Sequence, residues 1–237
     1  MNIVIIGTGY VGLVTGVGLA SRGNVVDFID LDENKIKDLS SKKITFYEPG
    51  LEEYFNDEET FKRMSFSSDY ASINWENIDI VFVCVQTPNN IETNSVDTKF
   101  LESAIKEINK VNNNELVITV KSTIPPYEIE KVCEKVGMDS SKLMFNPEFL
   151  REGTAVNDFF NPDRIVLGGT DSKKLSKLKE LYSDFDCEII TTDSISSQLI
   201  KYLANTYLPL RLSFVNEATR LIAVSYTHLT LPTIYSV

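Results

Sequence analysis

The chain has 237 residues, and 43% of them are hydrophobic, which is enough to bury one large domain or one domain and part of another. Its 34 acidic residues outnumber its 23 basic residues, giving a net charge of −11, and Lys and Arg form no cluster along the sequence. This balance argues against a nucleic-acid partner, because phosphate backbones bind basic surfaces.

The N-terminus and the cysteines narrow the class of protein further. Residues 1–12 enter a strand pattern without a basic leader, and no apolar run approaches the ~18 residues of a membrane span, so a cytoplasmic protein without membrane contact is expected. Cys84, Cys133 and Cys187 form no CxxC pair, which predicts neither disulfides nor a metal site, and the first two lie in apolar patterns typical of buried side chains. The one histidine, His228, lies near the end of the chain, so the sequence gives little support to a catalytic mechanism that uses a histidine base.

A glycine-rich turn follows the first predicted strand. Asn2–Ile6 is apolar, residues 7–12 read GTGYVG, and a helix-like apolar stretch comes next. A second strand, Val25–Ile29, ends at Asp30, eighteen residues after the last of these glycines. Such glycines let a pyrophosphate approach the helix N-terminus, and the acid accepts hydrogen bonds from a ribose diol while repelling a 2′-phosphate. The spacing predicts a dinucleotide site that favours NAD over NADP.

Strands and helices then alternate along the chain. This order predicts an α/β fold with a doubly wound, parallel, Rossmann-like sheet, followed by a long connecting helix. Ligands bind such sheets at the carboxyl ends of the strands. The further predicted strands are Ile80–Val85, Leu116–Val120, Lys142–Phe145, Ile165–Leu167 and Glu188–Ile190, and the helices are Thr98–Val111, Pro125–Val136 and Ser172–Phe185.

Lys35, Thr87 and Thr123 are further candidate ligand contacts, and other interpretations stay open. Lys35 either reaches the adenosine side of the cofactor or is a solvated surface lysine. Thr87 and Thr123 are candidate cofactor or substrate contacts, but Ser122 or Thr123 is equally suited to cap a helix that begins at Pro125. Spacing alone leaves these alternatives open.

The stretch 145–169 concentrates charged residues between two strand-like runs. Glu148 and Glu152 lie four apart, fenced by a proline and a glycine, so a short turn would present both carboxylates on one side. We therefore expect chemistry on this turn.

A long helix is predicted over Ser194–Ala223, with the length of a connector or dimer spine. Lys201 and Asn205, four apart, either point together into a cleft or belong to a solvated face. Pro209 removes a helical N–H and predicts a kink. The apolar seam of the helix comprises Ile200, Leu203, Tyr207, Leu210, Phe214 and Leu221.

Several motifs resemble those of the UDP-glucose/GDP-mannose dehydrogenase family over about residues 1–223. They are GTGYVG, Asp30, YEPGL, STIP, NPEFLREGTAVNDF with PDRIVLGG, and LIKYLANTYLPLRLSFVNE. Within the family, PEFLREG and PDRIV are most similar to the branch that acts on UDP-glucose. The resemblance implies oxidation of a sugar alcohol to a carboxylate by two hydride transfers to NAD⁺, through an aldehyde and a cysteine thioester.

The resemblance also implies roles for individual residues. Glu148 would be the acid/base for thioester hydrolysis and Glu152 a positioning residue, while Lys201 and Asn205 would stabilise the alkoxide and the oxyanion. Catalytic roles are implied for Thr123, Glu148, Glu152, Lys201 and Asn205. Cofactor contacts are implied for Gly7, Gly9, Tyr10, Val11, Gly12, Asp30, Lys35, Thr87, Thr123 and Glu152. Contacts with a UDP-sugar substrate are implied for Glu148, Phe149, Leu150, Arg151, Glu152, Lys201 and Asn205.

The sequence departs from the family pattern in places. Gln198 replaces a common acid, Gln86 a small residue and Pro209 a helix former. More importantly, the family's glycine-rich motif with the nucleophilic cysteine is not found, and none of the three cysteines can stand in for it. The chain is therefore expected to bind NAD without completing the two-step oxidation.

The last residues have an unusual composition. Residues 224–237 contain no Asp, Glu, Lys or Arg although the preceding residues carry 57, an outcome with a chance of roughly 0.02. They resemble a translated sequencing adapter, with a short aromatic recognition tail as the alternative.

The predicted organisation is an NAD-binding domain over 1–192, the start of a central dimerisation helix over 193–223, and a non-native tail over 224–237, from a homodimeric parent. Another nucleotide-sugar dehydrogenase and a non-catalytic NAD-binding module are the alternative functions.

Overall fold

A computed structural model describes residues 1–90, 92, 95–111 and 115–224. Its sheets confirm the predicted Rossmann-like α/β fold followed by a long helix. The strands β1–β10 are Asn2–Ile6, Val25–Ile29, Met64–Ser67, Ile80–Val83, Asn89–Asn90, Ser95–Val96, Val117–Val120, Leu143–Phe145, Arg164–Gly168 and Glu188–Thr192. The helices α1–α9 are Tyr10–Ser21, Glu33–Ser40, Leu51–Asn56, Glu58–Phe61, Lys99–Asn109, Glu128–Val136, Ala155–Phe160, Ser172–Leu181 and Ser194–Val224.

Eight strands form one sheet in the order β10-β9-β8-β7-β4-β1-β2-β3, and β5 and β6 form a separate hairpin. The six strands from β3 to β8 in this order pair in parallel. However, β8 pairs with β9 antiparallel, through Phe145 and Gly168, and β10 is parallel to β9. The last two strands therefore run against the other six, which corrects the expectation of a wholly parallel sheet. A parallel connection needs a crossover element on the sheet, whereas the helix between β8 and β9, α7, packs on α1 through Phe159 and Gly18.

The core has two layers, one on each face of the sheet. Alternate residues of β1 point to opposite faces. Ile3 and Ile5 belong to a buried cluster with residues of α1, α3, α7 and α8, whereas Val4 and Ile6 belong to a cluster with residues of α5 and α6. Helix α1 packs closely, because a Cβ at Gly16 would lie 2.3 Å from the Phe28 ring. This packing fixes the start of α1 beside the carboxyl end of β1.

Several element boundaries differ from the prediction. The helix expected from Pro125 begins at Glu128, and the stretch 145–169 contains helix α7 as well as a turn. Strand β3, the hairpin and α4 were not predicted, since each is four residues or shorter. Within the described part of the chain, no helix is long and apolar enough to cross a membrane. His228 and the predicted tail beyond Val224 lie outside the described residues.

Candidate active site

A cleft of about 610 Å³ opens at the carboxyl ends of β1, β2, β4 and β7, where a sheet of this class binds its ligands. Charged residues from distant parts of the sequence line this cleft. They include Asp30, Lys35 and Glu148. The predicted cofactor residues that line it are Gly7, Gly9, Tyr10, Val11, Asp30, Lys35, Thr87 and Thr123.

The glycine-rich turn is shaped by close backbone contacts. Gly7 has φ +96°, and a Cβ there would lie 2.8 Å from the Cys84 carbonyl oxygen. A Cβ at Gly12 would lie 1.9 Å from the Gly7 carbonyl oxygen, so both glycines are required by the fold. A Cβ at Gly9, in contrast, would meet no atom within 4 Å, and no side chain caps α1. Open space beside an uncapped helix N-terminus fits a pyrophosphate.

Asp30 directly follows β2, and its carboxylate is a preorganised hydrogen-bond acceptor. Its Oδ2 accepts from Thr8 N and Thr8 Oγ1, both at 2.8 Å, and its Oδ1 accepts from Asp32 N at 3.0 Å. Burial opposes ionisation, but these hydrogen bonds, with Lys35 Nζ at 3.8 Å, outweigh it and lower the pKa of Asp30. An ionised carboxylate with spare acceptor capacity fits a ribose diol and repels a 2′-phosphate.

Two hydroxyl groups connect the neighbouring loops of the cleft. Thr87 Oγ1 donates to the Thr123 carbonyl oxygen at 2.7 Å, and Ser122 Oγ donates to the Val85 carbonyl oxygen at 2.6 Å. Helix α6 begins at Glu128, five residues after Thr123 and six after Ser122, and no side chain caps it. The capping interpretation of Ser122 and Thr123 is therefore wrong, and both threonines lie at the cleft.

Glu148 and Lys201 form a buried ion pair. Glu148 Oε1 lies 2.9 Å from Lys201 Nζ, and their side chains are only 13% and 7% exposed. Glu148 Oε2 also accepts from Leu150 N at 2.7 Å. The Phe149 ring lies under two cations, 4.7 Å from the Arg164 guanidinium and 5.3 Å from Lys201 Nζ. This cluster fixes the first turns of α9 against the turn that follows β8.

A second buried cation, Lys121, lies beneath this turn. Its Nζ donates to Asn146 Oδ1 at 2.9 Å, and the Tyr182 hydroxyl donates to the same oxygen at 2.7 Å. Asn146 Nδ2 donates to the Val166 carbonyl oxygen at 3.0 Å. Burial lowers the pKa of Lys121, while the nearby Glu148 acts in the opposite direction. This cluster was not predicted, although a lysine directly after the apolar run of β7 was the available signal.

A profile of the NAD-binding domain of the UDP-glucose/GDP-mannose dehydrogenase family matches residues 1–186. The chain belongs to the UDP-glucose/GDP-mannose dehydrogenase family. This match confirms the resemblance that the motifs indicated. It also confirms NAD as the cofactor of this domain.

Individual relatives agree with this assignment. The chain is 36% identical over 222 residues to UDP-glucose 6-dehydrogenase of Rickettsia prowazekii, covering 92% of this chain and 51% of that protein. GDP-mannose dehydrogenase from Pseudomonas aeruginosa matches with a TM-score of 0.83 at 29% identity, and a UDP-glucose dehydrogenase from Pyrobaculum islandicum with 0.82 at 32%. Each match covers 92% of this chain and 52% of the solved one, so the chain spans about half the length of these relatives.

The two carboxylates expected on one side of the turn differ in their exposure and in their access to the cleft. Glu148 is partly buried and lines the cleft, whereas Glu152 is exposed and does not. Both lie near the Tyr10 hydroxyl, whose pKa is raised by burial and then by Glu48, Glu152 and Glu148. That hydroxyl is buried and has no hydrogen-bond partner among the described residues. The common proximity of both carboxylates to this hydroxyl agrees with the expectation that the turn presents both on one side, although of the two only Glu148 lines the cleft.

The other substrate residues implied by the family pattern do not all lie at the cleft. Arg151 forms an ion pair with Asp158, with Nη2 2.6 Å and Nε 3.1 Å from its two carboxylate oxygens, and is exposed. Asn205 is exposed on α9, one turn beyond the buried Lys201. Leu150 packs against the core. The structure thus brings Thr123, Glu148 and Lys201 to the cleft and its margin, but not Asn205.

Glu48, in the YEPGL motif that sequence analysis left without a role, supports the same turn. It is 4% exposed, and its carboxylate accepts from Gly153 N at 2.9 Å and from Ala155 N at 2.8 Å. These bonds satisfy donors at the start of α7. The turn that carries Glu148 and Glu152 is thereby held at its carboxyl end by a residue about a hundred positions earlier.

Two of the three cysteines are buried, as the sequence pattern indicated. Cys84 and Cys133 are buried, at 8% and 1% exposure, which confirms that they fill the core. Cys84 borders the cleft, but burial raises the pKa of its thiol to about 12. A thiol with this pKa stays protonated at neutral pH and is a poor nucleophile.

Proposed function

We propose that this chain binds NAD and belongs to an enzyme that oxidises UDP-glucose to UDP-glucuronate by two successive hydride transfers. The observation that carries the proposal is the single cleft that joins Asp30 and the open Gly9 turn to Glu148, with Lys201 paired behind it. Relatives named UDP-glucose 6-dehydrogenase, such as that of Rickettsia prowazekii, support the choice of substrate.

The residues of the cleft suggest how the ligands are oriented. Asp30 and Lys35 would hold the adenosine ribose, the N–H groups beside Gly9 the pyrophosphate, and Thr87 and Thr123 the nicotinamide end. Bound NAD⁺ would supply the hydride acceptor. At the substrate end of the cleft, Lys201 would supply a positive charge. Its ammonium would stabilise negative charge on the sugar oxygen where water is excluded.

Glu148 is our candidate for the proton-transfer residue. Its carboxylate lines the cleft, is mostly buried, and is oriented by Lys201 and by the N–H of Leu150. A carboxylate held in this way can accept a proton from water during hydrolysis of an acyl intermediate. Glu152 would act by positioning the turn, and Asn205 would need a different placement of α9 to reach the substrate.

Complete oxidation requires a nucleophile that the three cysteines do not provide. Capture of an aldehyde as a thiohemiacetal needs a thiolate beside the nicotinamide. Cys84, with its thiol pKa near 12, does not supply one at neutral pH. We therefore expect the chain to bind NAD without releasing a sugar acid.

Helix α9 supports a further part of the proposal, assembly of the intact enzyme as a homodimer. Seven of its apolar side chains beyond the first turns are more than half exposed and would be covered by a second copy. In this view residues 1–192 form the NAD-binding domain and 193–223 the start of the dimer helix. The exposed side chains include Leu203, Tyr207, Leu208, Leu210, Leu212, Phe214 and Leu221.

A related substrate is the second candidate, because a GDP-mannose dehydrogenase matches this fold as well as a UDP-glucose dehydrogenase does. The two are separated by the rise in melting temperature that UDP-glucose or GDP-mannose causes in the presence of NAD. UDP-glucose is expected to give the larger rise.

Replacing Gly9 with alanine tests the proposed cofactor mode. A methyl group at Gly9 meets no protein atom within 4 Å, so the melting temperature should stay within about 2 °C of wild type. The same methyl would occupy the space assigned to the pyrophosphate, so calorimetric titration should show NAD affinity reduced at least tenfold. Gly12→Ala is the contrasting variant, since its Cβ would lie 1.9 Å from a backbone oxygen and should unfold the turn. Unchanged NAD affinity in Gly9→Ala would contradict this binding mode.

A further inference from the structure

Thr8 lies between the first two glycines of the turn and is 1% exposed. It supplies two of the three hydrogen bonds that hold Asp30, one from its backbone N–H and one from its hydroxyl, both at 2.8 Å to Oδ2. The third comes from Asp32 N to Oδ1. A carboxylate has about four lone-pair sites, so Asp30 retains acceptor capacity for a ribose hydroxyl while its orientation is fixed.

The same end of the cleft contains the cation Lys35, which favours a ribose 2′-phosphate, whereas Asp30 disfavours it. Lys35 Nζ lies 3.8 Å from Asp30 Oδ2, which is beyond hydrogen-bond distance, and the lysine side chain is 40% exposed. An ammonium attracts a ribose 2′-phosphate as a point charge, whereas an ionised carboxylate repels it. The selectivity of the site therefore depends on which of the two charges meets the ribose.

We propose that Thr8 determines this outcome, because its hydroxyl fixes Asp30 towards the ribose position and so makes the site select NAD over NADP. A carboxylate held by Thr8 cannot turn away from a 2′-phosphate, so the repulsion is retained. Without the hydroxyl, Asp30 keeps only the two backbone N–H donors, so it is held less firmly and leaves Lys35 more available to a phosphate. This inference rests on the proposed NAD site and adds the source of its selectivity. Thr8 is a positioning residue, since it acts through Asp30.

The ionisation of Asp30 is consistent with this role. Burial alone would favour the neutral acid, which does not repel phosphate. The hydrogen bonds from Asp32 and Thr8 reverse that preference and lower the pKa of Asp30 below its ordinary value. Removing the hydroxyl of Thr8 takes away one of these bonds and weakens the negative charge that excludes NADP.

The test compares the dissociation constants of NAD and NADP by isothermal titration calorimetry. The wild-type chain should bind NAD at least about tenfold more tightly than NADP. Thr8→Val replaces the hydroxyl by a methyl group at nearly equal size and should reduce this ratio by about tenfold, since one hydrogen bond to a charged group is lost. Thr8→Ser keeps a hydroxyl and should keep the wild-type ratio.

Two further variants separate selectivity from stability. Thr15 is fully buried in α1, and its hydroxyl has no partner among the described residues, so Thr15→Val is a matched control that should leave the ratio unchanged. Adding Lys35→Met to Thr8→Val should remove the NADP affinity that the first change gained. Thr8→Ala gives the same comparison if the valine variant does not fold.

The outcomes distinguish this inference from the function on which it rests. A ratio in folded Thr8→Val within twofold of wild type overturns the role of Thr8, and so does an equal loss of affinity for both dinucleotides. Failure of the wild-type chain to bind either dinucleotide overturns the proposed function itself.

Discussion

Replacing Lys201 with methionine is expected to lower the free energy of unfolding by about 3–5 kcal/mol, because it leaves a mostly buried carboxylate without its ion-pair partner. Glu148 Oε1 lies 2.9 Å from Lys201 Nζ, and neither side chain is more than 13% exposed. Taking away one member of such a pair costs more than the pair itself contributes, since the remaining charge keeps its desolvation penalty. Urea unfolding followed by circular dichroism measures the difference.

Two further variants make this measurement specific. The double variant Glu148→Gln with Lys201→Met removes both charges and should recover more than half of the lost stability. Lys135→Met is the surface control, because the Lys135–Glu102 pair is 2.6 Å long but its side chains are 60% and 24% exposed, and it should cost less than about 1 kcal/mol. If Lys201→Met is as mild as the surface control, the buried pair does not fix the site as described.

Replacing Asn146 with leucine is the second change with a large expected effect, about 3–5 kcal/mol of lost stability. Asn146 is 2% exposed, and its side-chain oxygen accepts from both Lys121 and Tyr182. Leucine fills most of the space but leaves a buried ammonium and a buried hydroxyl without this acceptor. The change is again measured by urea unfolding.

The pH dependence of the Asn146→Leu variant provides a check. Burial lowers the pKa of Lys121 below the ordinary lysine value of 10.5, so the unfolded chain binds this proton more tightly than the folded chain does. Loss of the Asn146 oxygen should lower this pKa further, so the charge-dependent part of the variant's extra penalty is complete below the variant's pKa and is lost as pH rises through the lowered pKa of the wild-type chain. Adding Lys121→Met should restore part of the stability at neutral pH. A double variant no more stable than Asn146→Leu alone would show that the ammonium is not the source of the loss.

Local patterns were sufficient to predict one end of the site. The glycine-rich turn and Asp30 lie within thirty residues of each other, and each is positioned by the strand before it. Thr87 and Thr123 were predicted for the same reason, since both follow buried parallel strands. The hydrogen bond from the Thr87 hydroxyl to the Thr123 carbonyl oxygen was not predicted, because the distinction between a helix cap and a loop contact depends on where α6 begins.

The other end of the site depends on contacts between distant parts of the chain. Glu48 holds Gly153, which is 105 positions away, and Asn146 meets Tyr182, which is 36 positions away. No spacing rule connects such residues. Lys201 and Asn205 share one helix face, as predicted, yet only Lys201 is buried, because periodicity does not reveal where α9 leaves the sheet. The reversal of β9 and β10 was missed for a similar reason, since a strand pattern has no direction.

The central claim is that one cleft binds NAD, with its adenosine end at Asp30 and its nicotinamide end near Thr87. Amide chemical-shift changes in ¹⁵N-labelled chain during titration with NAD test it directly. If NAD binds in this cleft, saturable shifts are expected at Gly9, Asp30, Thr87 and Thr123. Adenosine diphosphate ribose should reproduce those at Gly9 and Asp30 while changing Thr87 and Thr123 least. Shifts located away from this cleft, or no saturable shifts with NAD, would contradict it.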